Sequence, residues 1–296
     1  MVVRIHVVWS DLTVNGERAH SLLAEVFQKS ELMIIRVWFV VLASILLGAC
    51  ATSPQGRTQV TVPSSVSAVH SEMGMRLNLA SAADTPSPCA GVECRLDRAF
   101  DQRVQRLGTR LAKSAFEIYP DLTERVSQFE FVIAEKAEPG SASCATGTVV
   151  IFRGVQKLHL DEEALAFLVA REMGHVISRH HDEDSATSIL FSIAAQVLLP
   201  VANLIRGSAV LIQSATAMAT ASSAASFVGS QIVIESYKLD QLHEADAVAL
   251  DLLASLGWNR GEIAGALAAS TQVVGDDRWS KDLQVSARGV VGLAEN

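Results

Sequence analysis

The chain has 296 residues, 49% of them hydrophobic and 19% charged, with a formal net charge of -8 at pH 7. That apolar share is enough for a core and excludes a disordered chain. The acidic balance and the 5% aromatic content exclude a nucleic-acid partner, because phosphate binding needs a basic patch and base stacking needs aromatic faces.

The first organised segment is Met33 to Cys50. Arg36 precedes an apolar run from Val37 to Leu47, and small residues lead to Cys50, the layout of a secretory signal. The run is short for a membrane span, which takes about 20 residues; an uncleaved anchor helix with a chance cysteine is the alternative. Leu47-Gly48-Ala49-Cys50 resembles the lipobox of bacterial lipoproteins, which implies removal of 33–49 and lipidation of Cys50. Ala51-Thr52, with no acidic residue, resembles cargo sent to the outer membrane. A membrane partner through a lipid anchor, and a place in the cell envelope facing the periplasm, are the expectations. Residues 1–32 then read as a mis-assigned start ahead of Met33, or as a cytoplasmic extension.

Residues 51–90 are rich in Ser, Thr, Ala and Pro without an apolar period. They read as a flexible tether, so that 50–95 holds the lipidated cysteine and the tether, and 96–296 the folded domain. Cys89 and Cys94 flank Ala-Gly-Val-Glu and suggest a small disulfide loop that leaves Cys144 over. The ligand spacing of a zinc knuckle is absent.

Leu96, Phe100, Val104, Leu107 and Leu111 recur at helical spacing, with Pro120 beyond the end. Phe129, Phe131 and Ile133 alternate as in a strand, and Thr148–Arg153 is a second β-rich run between Gly147 and Gly154. Asp161 is placed to cap a helix carrying Leu165, Leu168, Val169, Met173 and Val176. Residues 185–234 are apolar and rich in Ala and Ser, interrupted by Pro200 and Gly207. Two readings stand for them: buried helices covering a cleft, or partial immersion in a bilayer. A helix from Glu244 to Leu256 stops at Gly257, and another begins near Asn259. The fold class is α+β, mainly helical with a small sheet.

Val169-Ala-Arg-Glu-Met-Gly-His175 carries the chemistry. In H-E-x-x-H on a helix, two histidines four residues apart reach one ion and the glutamate acts as base on the bound water. Here His175 and Glu172 stand in place, but Arg171 occupies the first position. A lone E-x-x-H is weak evidence. Its surroundings are stronger: Ala170, Gly174 and the tail Arg179-His180-His181 resemble the active-site helix of the HtpX-like and CAAX prenyl endopeptidase family of zinc metallopeptidases. His243-Glu-Ala-Asp246 resembles that family's E-A-D motif, which implies Glu244 as third zinc ligand and Asp246 as its supporting partner. Gly147–Gly154 resembles the edge strand beside the substrate cleft, with Val149, Val150 and Ile151 taking the polypeptide. The resemblance runs from about Leu96 to Leu267. It implies a zincin-like (gluzincin) metallopeptidase domain, one zinc ion and a polypeptide substrate.

Three features depart from the family. Ser143-Cys-Ala stands where Asn-Ala is usual, no His-Pro pair follows the E-A-D helix, and Arg171 replaces a ligand. A guanidinium has no lone pair to give, and His175 with Glu244 makes two ligands where a catalytic zinc site uses three and a water. At about 100° per residue a continued helix turns His180 and His181 away from His175, and His243 faces elsewhere. The expectation is that Arg171 pairs with Glu244 or Glu172 as a fixed cation in the metal position, the alternative being a solvent-facing Arg171. Two functions follow: a metalloendopeptidase acting on misfolded envelope proteins, impaired by the lost ligand, or a zinc-free pseudo-peptidase serving as chaperone or assembly module.

Overall fold

The computed structural model describes residues 50–81, 91–205, 215–272 and 274–294. The expected extension 1–32, the signal 33–49, Cys89 and Gly207 lie outside the described residues. Cys94 is disulfide-bonded, whereas Cys50 and Cys144 are free.

The segment expected to be a tether is structured. β1 (Cys50–Thr52) pairs with β2 (Thr58–Val60), and α1 (Ser64–Ser81) follows. Ser53, Gln59 and Thr61 are buried. Polar composition disguised them, because the Ser53 hydroxyl and the Gln59 amide nitrogen find partners in distant elements rather than in water.

α2 (Val92–Ile118) comes next; Leu96 on it is exposed, and its buried stripe is Phe100, Val104, Leu107, Leu111 and Ala115. β3 (Glu130–Ala134), β4 (Ser141–Ser143) and β5 (Thr148–Phe152) form one sheet in the order β3-β5-β4, with β5 parallel to β3 and antiparallel to β4. This corrects the expected edge strand. Val149, Val150 and Ile151 lie in the central strand and are at most 1% exposed, as a continuous apolar run in a doubly covered strand should be. The edges are β3 and β4, and β4, the one that reaches Glu172, is a strand of two serines and an alanine that no propensity scale would select.

α3 (Glu162–Ile177) is the centre of the core. Every residue from Ala164 to Gly174 is buried, the mark of a helix surrounded by others. Asp161 stands at its N-cap position but makes no side-chain capping bond. α4 (His180–Ile205) and α5 (Ala215–Ser255) lie against each other; α6 (Arg260–Ser270) and α7 (Arg278–Ala294) complete the domain. At Gly174 the backbones of α3 and α5 nearly touch: an added Cβ would sit 2.5 Å from the Ala245 carbonyl oxygen. That approach sets His175 and Glu244 side by side.

The expected burial of the apolar region is only partly met, since Leu190, Ile193 and Ile232 are exposed. Among the described residues no helix is long and apolar enough to cross a membrane. The mostly helical α+β class is borne out.

Candidate functional site

α3 ends abruptly. Arg125 donates to the carbonyls of Val176 at 2.8 Å and Ile177 at 2.6 Å, satisfying the last turn. Arg179 then takes a left-handed φ of 62°, and α4 starts at His180 on a new axis. The helical extrapolation across this joint therefore fails. His180 does not point away: its Nδ1 lies 2.9 Å from His175 Nδ1, and its Nε2 lies 3.0 Å from Glu244 Oε2. An imidazole bridges the two side chains that were expected to share a metal.

Glu244 is further engaged from the N-terminal hairpin. The Ser53 hydroxyl donates to Oε1 at 2.5 Å, and Arg57 Nε donates to Oε2 at 3.0 Å. The other end of the Arg57 guanidinium grips Glu183 with two bonds of 2.7 Å. Gln59 donates to the Ser178 carbonyl at 2.9 Å, fixing the hairpin over the α3–α4 joint. Burial alone would raise the Glu244 pKa, but the bonds from His180, Ser53 and Arg57, with the Arg57 charge, bring it down to about 2. The hydrogen bond to Glu183, and the charges of Glu183 and Glu244, raise Arg57 despite its burial.

Arg171 is buried but does not pair with Glu244 or Glu172. Its only hydrogen bond among the described residues runs from Nη1 to the Ser286 hydroxyl on α7 at 3.4 Å, and its Nε has no partner. Arg171 lies one turn before His175 on the same face of α3, but its long side chain runs on to Ser286 of α7, where its charge also acts on Asp246 of α5. Burial pushes Asp246 up to about 7, against the lowering effects of the Arg171 charge and a Ser286 hydrogen bond. The fixed cation beside Glu244 is Arg57. It went unseen in the sequence because the contact spans 187 positions, yet Arg57 is the one charged residue between Cys50 and His70.

Glu172 is held by β4. Ser141 donates to its Oε1 at 2.7 Å and Ser143 to its Oε2 at 3.0 Å. Trp279 Nε1 donates in turn to Ser141 at 2.9 Å, and His181 Nε2 lies 3.1 Å from the Ser143 oxygen. Since Ser143 spends its proton on Glu172, His181 serves it as an Nε2–H donor. Burial and the nearby charges of His180 and Arg125 lower the His181 pKa to about 4, keeping the ring neutral. Burial likewise holds His175 well below its ordinary value, helped by neighbouring cationic groups. In front of α3 opens a cleft of about 240 Å³, with Arg171, Glu172, His175, His181, Lys238 and Trp279 on its walls.

These residues do not fit a zinc ion. Both Glu244 oxygens are committed to other partners, and with His175 Nδ1 on His180 only the Nε2 of His175 is left as a donor, one where a zinc site needs three. Among the described residues no group of three or more His, Cys, Asp or Glu side chains is arranged to hold a metal. Of the expected site residues, His175, Glu244 and Glu172 meet around the α3–α4 joint, and Asp246 and Arg171 face α7. Val149, Val150 and Ile151 lie in the sheet interior, and Cys50 is exposed at the start of β1. Sequence reasoning missed His180, Ser53, Arg57, Glu183 and the β4 serines.

No curated protein matches the chain. The model of peptidase family M48 matches residues 99–272, a span that holds α3, the whole three-stranded sheet and the E-A-D helix. The motif order, the helix-on-helix geometry at Gly174 and this match agree, and the chain belongs to peptidase family M48, a family of typically zinc-dependent metallopeptidases.

Proposed function

We propose that this member of the family is a metal-free pseudo-peptidase that binds polypeptide in its cleft without hydrolysing it. One observation carries the reading: the carboxylate of Glu244, the expected third zinc ligand, is saturated by Ser53, Arg57 and His180, while the first ligand position is a guanidinium turned toward Ser286. A cation is already present where a dication is needed, and it belongs to the chain. The scaffold that remains is that of proteins that hold extended polypeptide beside an active-site helix. Kinship with the HtpX-like branch is supported by Ala170, Gly174 and the Arg179-His180-His181 tail.

Zinc content of protein purified without a histidine tag tests this directly. We expect well below one ion per chain and no casein cleavage. Arg171→His alone should restore neither, because Arg57 still occupies Glu244; pairing it with Arg57→Ala should raise zinc uptake. Stoichiometric zinc in the wild type would sink the proposal.

The lipoprotein reading is also a proposal, as are outer-membrane placement and a role with misfolded or assembling envelope proteins. It is supported by Leu47–Cys50 and by an exposed, unbonded Cys50. Mass spectrometry of the mature protein should find acylation that Cys50→Ser abolishes.

A further inference from the structure

Among the described residues Arg171 is a cleft charge with no ion pair: Asp246 feels its charge, but the two meet only through the shared Ser286 hydroxyl. Glu235 pairs with Arg278 and Asp282 with Lys238, and Glu172 is satisfied by two serines. Asp184 accepts from Gln241 and Tyr237. Arg171 is 2% exposed, and among the described residues its Nε lacks a partner and its one hydrogen bond is a long one to a neutral hydroxyl. A buried guanidinium in this state is costly unless a ligand completes it. The residue lines the cavity in front of α3.

We infer that Arg171 is the anchor for a carboxylate-ended ligand, and that the polypeptide bound in this cleft is held by its C-terminal carboxylate. The planar fork of arginine suits two-point recognition of a carboxylate better than any other side chain. Trp279, half-buried with its indole nitrogen fixed on Ser141, gives the last side chain of the peptide an aromatic wall, and Ile234 and Leu242 add apolar surface. The substitution that removes the zinc ligand thus supplies a recognition group in its place. This rests on the polypeptide-binding reading above and specifies which part of the polypeptide is read.

Fluorescence anisotropy with a fluorescein-labelled heptapeptide ending in valine, as free acid and as C-terminal amide, tests it. The acid should bind at least about tenfold tighter, the scale of a charge-assisted pair. Arg171→Gln should erase the difference, and Arg171→Lys, which keeps the charge without the fork, should keep part of it. Ser286→Ala should leave the preference intact. Should Arg171→Gln not fold, the wild-type comparison and Ser286→Ala still decide. Equal binding of acid and amide by the wild type overturns the carboxylate inference and leaves the polypeptide reading standing. Binding of neither peptide overturns both.

Discussion

Arg57 holds two buried carboxylates on different helices, Glu183 and Glu244. Removing it leaves both without their cation, so Arg57→Ala should lower stability by about 2–4 kcal/mol, the usual cost of breaking a largely buried pair. Urea denaturation measures this, and adding Glu244→Gln to that variant should recover part of the loss, as expected for coupled sites. The pH dependence separates by sign. Glu244, lowered from 4.5 to about 2, contributes stability that is full above about pH 4.5 and is lost as pH falls through 2. Asp246, raised from 3.8 to about 7, does the opposite: the fold loses stability as pH rises from 3.8 to 7. Below pH 4 only the first effect of the two is active, so wild type should lose stability there faster than Glu244→Gln. Asp246→Asn should stabilise the protein at pH 8, with the gain vanishing by pH 4. Thermal unfolding at these pH values checks both. At this scale Glu172, His175 and Glu244 were legible, because spacing on a helix is local information. His180 was not, because the left-handed φ at Arg179 falls on a residue type that gives no turn signal.

α3 and α5 meet through Gly174 and Ala245, and the whole site depends on that approach. Gly174→Ala places a methyl group 2.5 Å from the Ala245 carbonyl oxygen; the helices must part, at a cost of about 1–3 kcal/mol. Gly289→Ala on α7 is the control. A methyl group there meets nothing within 4 Å, and the change should be neutral or slightly stabilising. Comparison of the two urea midpoints decides whether the close approach or mere loss of glycine matters. Among the strands, β-propensity found β5 and missed β4. Propensity follows burial, so it points to the covered strand at the centre of a sheet, whereas β4 is chosen for hydroxyls that reach Glu172.

Over the whole molecule the α+β class and the motif order could be read from the pattern of apolar residues and the three motifs. The closure of the site by residues 50–61 could not, because it depends on pairings between segments far apart in the chain. The hairpin starts at Cys50, and Ser53 already touches Glu244. An extended chain gains at most about 3.6 Å per residue, so an acyl group on Cys50 would leave a leash of only about 11 Å. On the lipoprotein proposal such a short mooring would hold the hairpin side flush against a bilayer, and any polypeptide would have to reach the cleft along that surface.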